Sequence, residues 1–375
     1  MSKTFVLASD SFKESMTAEQ ACQAMQRGIQ SVFKDALFIQ VPMADGGEGT
    51  VDALIASTQG QRVACKVTGP LRDQQVETYF GLIDDGQTAV IEMAKANGLH
   101  LLPAAQRNPM LTSSFGTGEM IKGALDLGVQ KIIIGLGGSV TNDGGAGMAQ
   151  ALGAQFLAVN QRPIAVNGGQ LHLIHHIDLS ALDARLQQVK IIIASDVSNP
   201  LCGENGASYV FAAQKGATPA MLAILDHNLS HFADLVEHTL ALHKRHLAGS
   251  GAAGGLGSGL MAFTGATLRS GVELVIESTQ LAAKIAQADY VFTGEGSIDF
   301  QTQFGVAQVA KRLNKPVIAC AGHIGQEIEE LYDKGFTAIF GIVEGAVDLD
   351  TAFAHAEQNL QRTCENIARI LLRWS

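Results

Sequence analysis

Short apolar runs closed by glycine, serine and aspartate recur along the chain, each followed by a stretch of helical periodicity. Residues 5–9 (FVLAS) predict a buried strand ending at Asp10-Ser11, and Thr17 with Gln20 three positions on caps the helix that follows. Residues 37–43 (LFIQVPM) predict a second strand, closed by ADGGEGT ahead of another helix. From 62 to about 94 the runs VACKVTGP, VETYFGLI and TAVIEMA are separated by turn signals, with no helix long enough for a crossover, so antiparallel sheet is expected. KIIIG at 131–135 is an unbroken apolar run, the pattern of a strand buried on both faces, and VKIIIASD at 189–196 repeats it. ADYVF ends in a loop beginning at Gly294, and KPVIACAG (315–322) and FTAIFGIV (336–343) predict further parallel strands. Long amphipathic helices are expected over 219–246 and roughly 350–373, the latter facing the sheet through Phe353, Leu360, Ile367 and Leu371.

These alternations predict an α/β fold of two domains. One is a doubly wound parallel sheet, discontinuous over 1–60, 117–196 and 285–375; the second is a smaller mixed or antiparallel α/β domain over 61–116 and 197–284. The 375 residues carry a formal charge of −10, which argues against a nucleic-acid backbone or an anionic membrane as partner of the surface as a whole. A small anion must then be held by local amides, a few cations or a metal ion. Five scattered cysteines without a C-x-x-C pair fit reduced thiols in a cytoplasmic protein, not a disulfide framework or a zinc site. No export signal or membrane span is expected.

Chemistry concentrates at the strand ends. The stretch KIIIGLGGSVTNDGGAG (131–147) places Gly135, Gly137, Gly138, Gly144 and Gly145 with Ser139, Thr141, Asn142 and Asp143 between a strand and a helix start, which suits a bound phosphate. It matches neither G-x-G-x-x-G nor the Walker A pattern. SDSFKES adds Asp10, Ser11, Lys13 and Ser15; ADGGEGT adds Asp45 and Glu48; SDVSN adds Asp196 and Asn199; TGEGSID adds Glu295 and Asp299. Thr112 to Gly118 forms another anion-friendly turn, and the glycine run 249–259, with Gly254 and Gly255, reads as a hinge or ligand-facing loop. His227 and His231 stand at i,i+4 but lack the H-E-x-x-H glutamate, so they read as solvated surface. Carboxylates brought to one rim of a parallel sheet would repel one another, and Mg²⁺ relieves this. Amides and a lysine on phosphate, Mg²⁺ and a carboxylate base together fit phosphoryl transfer.

SDSFKES, VPMADGGEGT, EMAKANGL, RNPMLTSSFGTGE, GLGGSVTNDGGAGM, SDVSNPLCGENGA, GAAGGLG and TGEGSIDFQT, in this order, resemble the type I glycerate kinases from end to end of the chain. The resemblance implies ATP-dependent phosphorylation of D-glycerate with Mg²⁺, the 2-phosphate favoured as product, in glycerate, glyoxylate or sugar-acid catabolism. It also implies two α/β domains, one Rossmann-like, with the active site in the cleft between them, and it is compatible with a homodimer. On this reading Asp196 is the base, Lys13 neutralises a transferring phosphate or the glycerate carboxylate, and Asp45 serves catalysis or the metal. Gly135, Gly137, Gly138, Ser139, Thr141, Asn142, Gly144 and Gly145 hold nucleotide phosphates; Asp10, Ser11, Ser15, Asn199, Gly254 and Gly255 face glycerate; Asp45, Glu48, Asp143 and Glu295 surround Mg²⁺. One departure stands out: after Thr302 the chain runs through Gln303-Phe304 directly to Gly305-Val306-Ala307, without the G-K-x-P segment usual in the family. A non-catalytic sensor of small acids or nucleotides, or a nicotinamide-dependent dehydrogenase, are the alternatives.

Overall fold

A computed structural model describes residues 2–299 and 305–374. In chain order the strands are β1 (Thr4–Leu7), β2 (Leu37–Gln40), β3 (Gln61–Thr68), β4 (Gln75–Ile83), β5 (Thr88–Glu92), β6 (Lys131–Gly135) and β7 (Gln155–Leu157). They continue with β8 (His176–Asp178), β9 (Lys190–Ala194), β10 (Thr267–Arg269), β11 (Tyr290–Ile298), β12 (Val317–Ile324) and β13 (Ala338–Gly341). The chain divides into two compact units. The first draws on Met1–Ala44, Asp52–Gln59 and Val272–Ser375, the second on Asp45–Val51 and Gly60–Gly271.

The first unit holds a five-stranded sheet in the order β13-β12-β11-β1-β2, parallel throughout. Renumbered within the unit this is 2-1-3-4-5, one of the two common orders of doubly wound sheets, and its reversal falls between β1 and β11. The loop after β1 is therefore at the switch point. The helix Ala18–Gln30 begins at the expected capping box, with the Thr17 hydroxyl accepting from the Gln20 amide and the Gln20 side chain accepting from the Thr17 amide. Its buried face, Ala18, Ala21, Cys22, Met25 and Ile29, meets the C-terminal helix Ala356–Trp374 through Leu360, Cys364 and Ile367. That terminal helix is not continuous from 350: a separate helix, Leu349–Ala354, ends at His355. The two long helices touch at Gly28, where a Cβ would lie 2.1 Å from the Gln361 carbonyl oxygen. Gly28→Ala is expected to lower stability by about 1–3 kcal/mol, read as a lower urea midpoint at unchanged m value.

The second unit holds a six-stranded mixed sheet, β10-β9-β6-β5-β4-β3, and a β7-β8 hairpin. The meander expected over 62–94 is present as β3, β4 and β5, antiparallel in sequence, and β5 then pairs in parallel with β6. This corrects the expected domains. The strands at 131–135 and 189–196 join the meander, not the sheet begun by β1. The reason is that an Ile-Ile-Ile run reports burial on two faces and says nothing about which sheet provides it.

A second correction concerns β11, which does not end at Gly294 but runs through Glu295 to Ile298, paired with β12 as far as Ile298↔Ile324. Gly294 serves close backbone approach: a Cβ there would sit 2.6 Å from the Cys320 carbonyl oxygen. Glu295 is thus a half-buried strand residue opposite Ala321. The five cysteines are all free thiols. Among the described residues no helix is long and apolar enough to cross a membrane.

Candidate active site

The parallel strands β5, β6, β9 and β10 end on one rim of the second unit, and the loop from Asp45 to Val51 lies across it. Close glycine contacts seat this loop. A Cβ at Gly135 would meet the Gly46 carbonyl oxygen at 2.4 Å, one at Gly137 would meet the Gly47 Cα at 2.6 Å, and one at Gly271 would meet the Asp45 carbonyl oxygen at 1.9 Å. Within the loop, Asp45 Oδ1 accepts from the Gly47 amide at 2.8 Å, and the Thr50 hydroxyl donates to the Gly47 carbonyl at 2.9 Å. Glu92, buried at the end of β5, accepts from the Val51 amide at 2.7 Å and pairs with Lys95 at 3.7 Å. These contacts bring Asp45 and the exposed Glu48 to the same rim as Gly135 and Gly137. Asp196 is exposed two residues beyond β9, and Gly135 and Ala194 are register partners, so Asp196 and Gly137 leave adjacent strand ends.

The turn after β6 has the character of an anion cradle. Among the described residues, none accepts from the amides of Gly137, Gly138 or Ser139. Gly138 turns the chain at φ +68°, and its carbonyl accepts from the Leu99 amide at 2.8 Å, while the Val140 amide donates to the Asn97 carbonyl at 3.0 Å. The turn is thereby held from its far side while three successive N–H groups stay open. Such a run of donors is a nest for an anion.

The second half of the glycine stretch is different. Thr141, Asn142, Asp143, Gly144 and Gly145 are all buried. Asn142 donates to the Ser208 hydroxyl, and both Thr141 Oγ1 and Asn142 Oδ1 lack a partner among the described residues. Gly144 lies against Phe232, and Gly145 against Gly259 and Leu256, so these glycines admit neighbouring helices. Gly254 and Gly255 are buried too; their absent side chains let residues 141–144 approach, and Gly254 accepts from the Gly144 amide. They buttress the loop and do not line a surface. The expected helix start is equally occupied: Ala146–Ala151 is only six residues long, its Gly147 amide donates to Asp143, and its Met148 amide donates to the Ser114 hydroxyl.

Asp143 is the hub of this interior knot. Its carboxyl accepts from the Ser114 amide (2.7 Å) and hydroxyl (2.9 Å), the Ser113 hydroxyl (3.3 Å), and the Gly145 and Gly147 amides (3.2 Å each). Burial raises its pKa above the ordinary carboxylate value, against the Ser114, Gly145 and Gly147 hydrogen bonds that lower it. With N–H and O–H donors closing round it, Asp143 anchors the loop. The Thr112–Gly118 turn is the other half of the knot, since Thr112 donates to the Val140 carbonyl. No group of three or more His, Cys, Asp or Glu side chains suited to a metal ion exists among the described residues. The seven carboxylates expected on one rim are divided between the two units, Asp10, Glu295 and Asp299 in the first and Asp45, Glu48, Asp143 and Asp196 in the second.

Sequence reasoning missed Lys215. It is fully buried, and its Nζ donates to Ser139 Oγ at 2.8 Å and to the Thr141 carbonyl at 2.7 Å. Burial pushes the amine down to about 7, against the opposing charge of Asp143. Unfolded, the lysine returns to its ordinary 10.5. The unfolded chain then binds the extra proton between those limits, so stability is expected to rise with pH from about 7 to about 10.5 and to be lost as pH falls through about 7. Urea unfolding of wild type and Lys215→Met across that window checks this: the substitution should flatten the slope. Lys215 lies in FAAQKGA, a segment with no motif spacing, so only three-dimensional proximity reveals it.

In the first unit, the loop after β1 folds on itself at the switch point. Phe12 and Met16 exchange backbone bonds, Ser15 donates to the Phe12 carbonyl, and the Asp10 amide is tied to the Gly294 carbonyl at 2.8 Å. Asp10 also accepts from the Ser11 amide, and Lys13 is exposed. Asn199, on the rim side of β9 in the second unit, donates to the Asn205 carbonyl. His231 binds the Ile174 carbonyl and does not pair with His227. The segment Thr302–Phe304, where the family's G-K-x-P is missing, lies outside the described residues.

Residues 5–372 match the model of the glycerate kinase family. A glycerate kinase of Haemophilus influenzae is 51% identical over 372 residues, covering 98% of both chains. The glycerate 2-kinase of Escherichia coli is 47% identical over 371 residues, 98% of this chain and 97% of the relative. An inferred glycerate kinase 2 of Salmonella typhimurium, known as a crystal structure, superposes with a TM-score of 0.89 at 46% identity over 99% of both chains.

Proposed function

The chain belongs to the glycerate kinase family, and from that premise we propose that it transfers the terminal phosphate of ATP to D-glycerate, giving 2-phosphoglycerate. The observation that carries this reading is the turn after β6, with three successive open amides beside the strand end that presents Asp196. Gly137, Gly138 and Ser139 bind nucleotide phosphate, and Gly135 shapes the rim by admitting the Asp45–Val51 loop. Asp196 takes the proton of the attacking glycerate hydroxyl. Asp45 and Glu48, on the loop docked across this rim, would hold a Mg²⁺ that came with the nucleotide. When bound it neutralises phosphate charge. In the first unit, Lys13 neutralises a phosphate or carboxylate, and Asp10, Ser11 and Ser15 meet the hydroxyls of glycerate. The 2-1-3-4-5 strand order of that unit supports a doubly wound sheet of the flavodoxin-like order, with a ligand crevice at its switch point.

ADP release from ATP and D-glycerate in a coupled assay tests the reaction, and ³¹P NMR of the product separates phosphorylation at O2 from O3. Absence of glycerate-dependent ADP release would refute the proposal; a 3-phosphate product would refute only its regiochemistry. Neither the dehydrogenase nor the sensor reading has an observation in its favour.

A further inference from the structure

Lys215 ends the short turn Ala213–Lys215 and reaches a loop 76 positions earlier in the chain. Its amine is buried, and it lacks a carboxylate within ion-pair distance among the described residues. Both of its partners belong to the proposed phosphate turn: the Ser139 hydroxyl and the Thr141 carbonyl. The intervening Val140 amide is held by Asn97, so the turn is pinned on both sides of the residue whose hydroxyl meets the lysine. An N–H donated into Ser139 Oγ occupies one lone pair of that oxygen and excludes the hydroxyl hydrogen from the same direction. The hydroxyl must donate elsewhere, and Ser139 adjoins the exposed Gly138.

We infer that Lys215 is a positioning residue for phosphoryl transfer, fixing the turn at 137–141 and directing the Ser139 hydroxyl hydrogen toward the bound nucleotide phosphate. This rests on the reading of Gly137–Ser139 as the phosphate cradle. A lysine that merely filled space would affect stability and both substrates alike. A positioning lysine acts on the nucleotide and acts through Ser139.

Two measurements on the full-length protein separate these cases. Hydrogen exchange with and without ADP reports whether the amides of 137–139 become protected. Steady-state kinetics of Lys215→Met, Ser139→Ala and the double variant form a cycle. The expected result is protection of the turn, with a KM for ATP raised roughly tenfold in either single variant, no further rise in the double, and a KM for glycerate within about twofold of wild type. Additive effects, or equal changes in both KM values, would overturn the role of Lys215 while leaving the cradle intact. No protection by ADP would overturn the cradle itself and the inference with it. Should Lys215→Met not fold, Lys215→Gln takes its place in the same cycle with the same expected and overturning results.

Discussion

Replacing Asp196 by asparagine is expected to lower kcat roughly 10²–10⁴-fold while leaving the fold intact. Asparagine keeps the size and one acceptor of the side chain but cannot take the proton of an attacking hydroxyl. The position favours this role. Asp196 follows the strand whose Ala194 is in register with Gly135, so it emerges beside the open amides of Gly137–Ser139. It is exposed, and no hydrogen bond to its side chain is found among the described residues, so its removal disturbs no internal network. A change at such a site shifts stability by about 0.5 kcal/mol or less. The KM for ATP should be little altered, because phosphate binding rests on backbone donors. Initial rates of ADP formation, alongside urea unfolding as a control, check the expectation. Near-native turnover would remove Asp196 from the mechanism and leave Asp45, on the loop docked across the same rim, as the base to test next.

Local signals were legible where one stretch of chain carries them whole. Thr17 and Gln20 spelled out a capping box that is present, and the run 62–94 showed its turns and lack of a crossover helix as β3–β5. Pairing between distant strands was not legible: the isoleucines at 132–134 have the same pattern whichever sheet receives them. The glycines divided in the same way. Gly138 supplies the positive φ of an open turn, whereas Gly137, Gly144, Gly145, Gly254 and Gly255 are small because another backbone or side chain occupies the space of their missing Cβ. Composition alone cannot tell these uses apart, since both require the absence of a side chain. Glu92 lay in the family-like EMAKANGL segment without an assigned role, and its tether to Val51 appears only once β5 is placed beside the Asp45 loop. Lys215 had no signal at all, because a buried cation is defined by what surrounds it.

Asp143→Ala is expected to destabilise the protein by about 3–5 kcal/mol, the largest stability effect of any substitution on this loop. The side chain is 0% exposed, and its loss strands the amides of Ser114, Gly145 and Gly147 and the hydroxyls of Ser113 and Ser114 in an interior that water does not reach. Unmet buried donors cost about 1–3 kcal/mol apiece before the surroundings relax, and several are released at once. Asp143→Asn keeps the volume but turns an NH₂ group toward some of the same donors, so it should fall between wild type and alanine. The measurement is the urea midpoint, followed by an Mg²⁺ titration of turnover in whichever variant folds. An interior anchor predicts a loss of stability with an unchanged Mg²⁺ requirement in the folded fraction. A metal ligand predicts the reverse: a normal midpoint and a raised Mg²⁺ requirement. The second outcome would return Asp143 to the metal's surroundings and require the knot it forms with Ser114 to open when nucleotide binds.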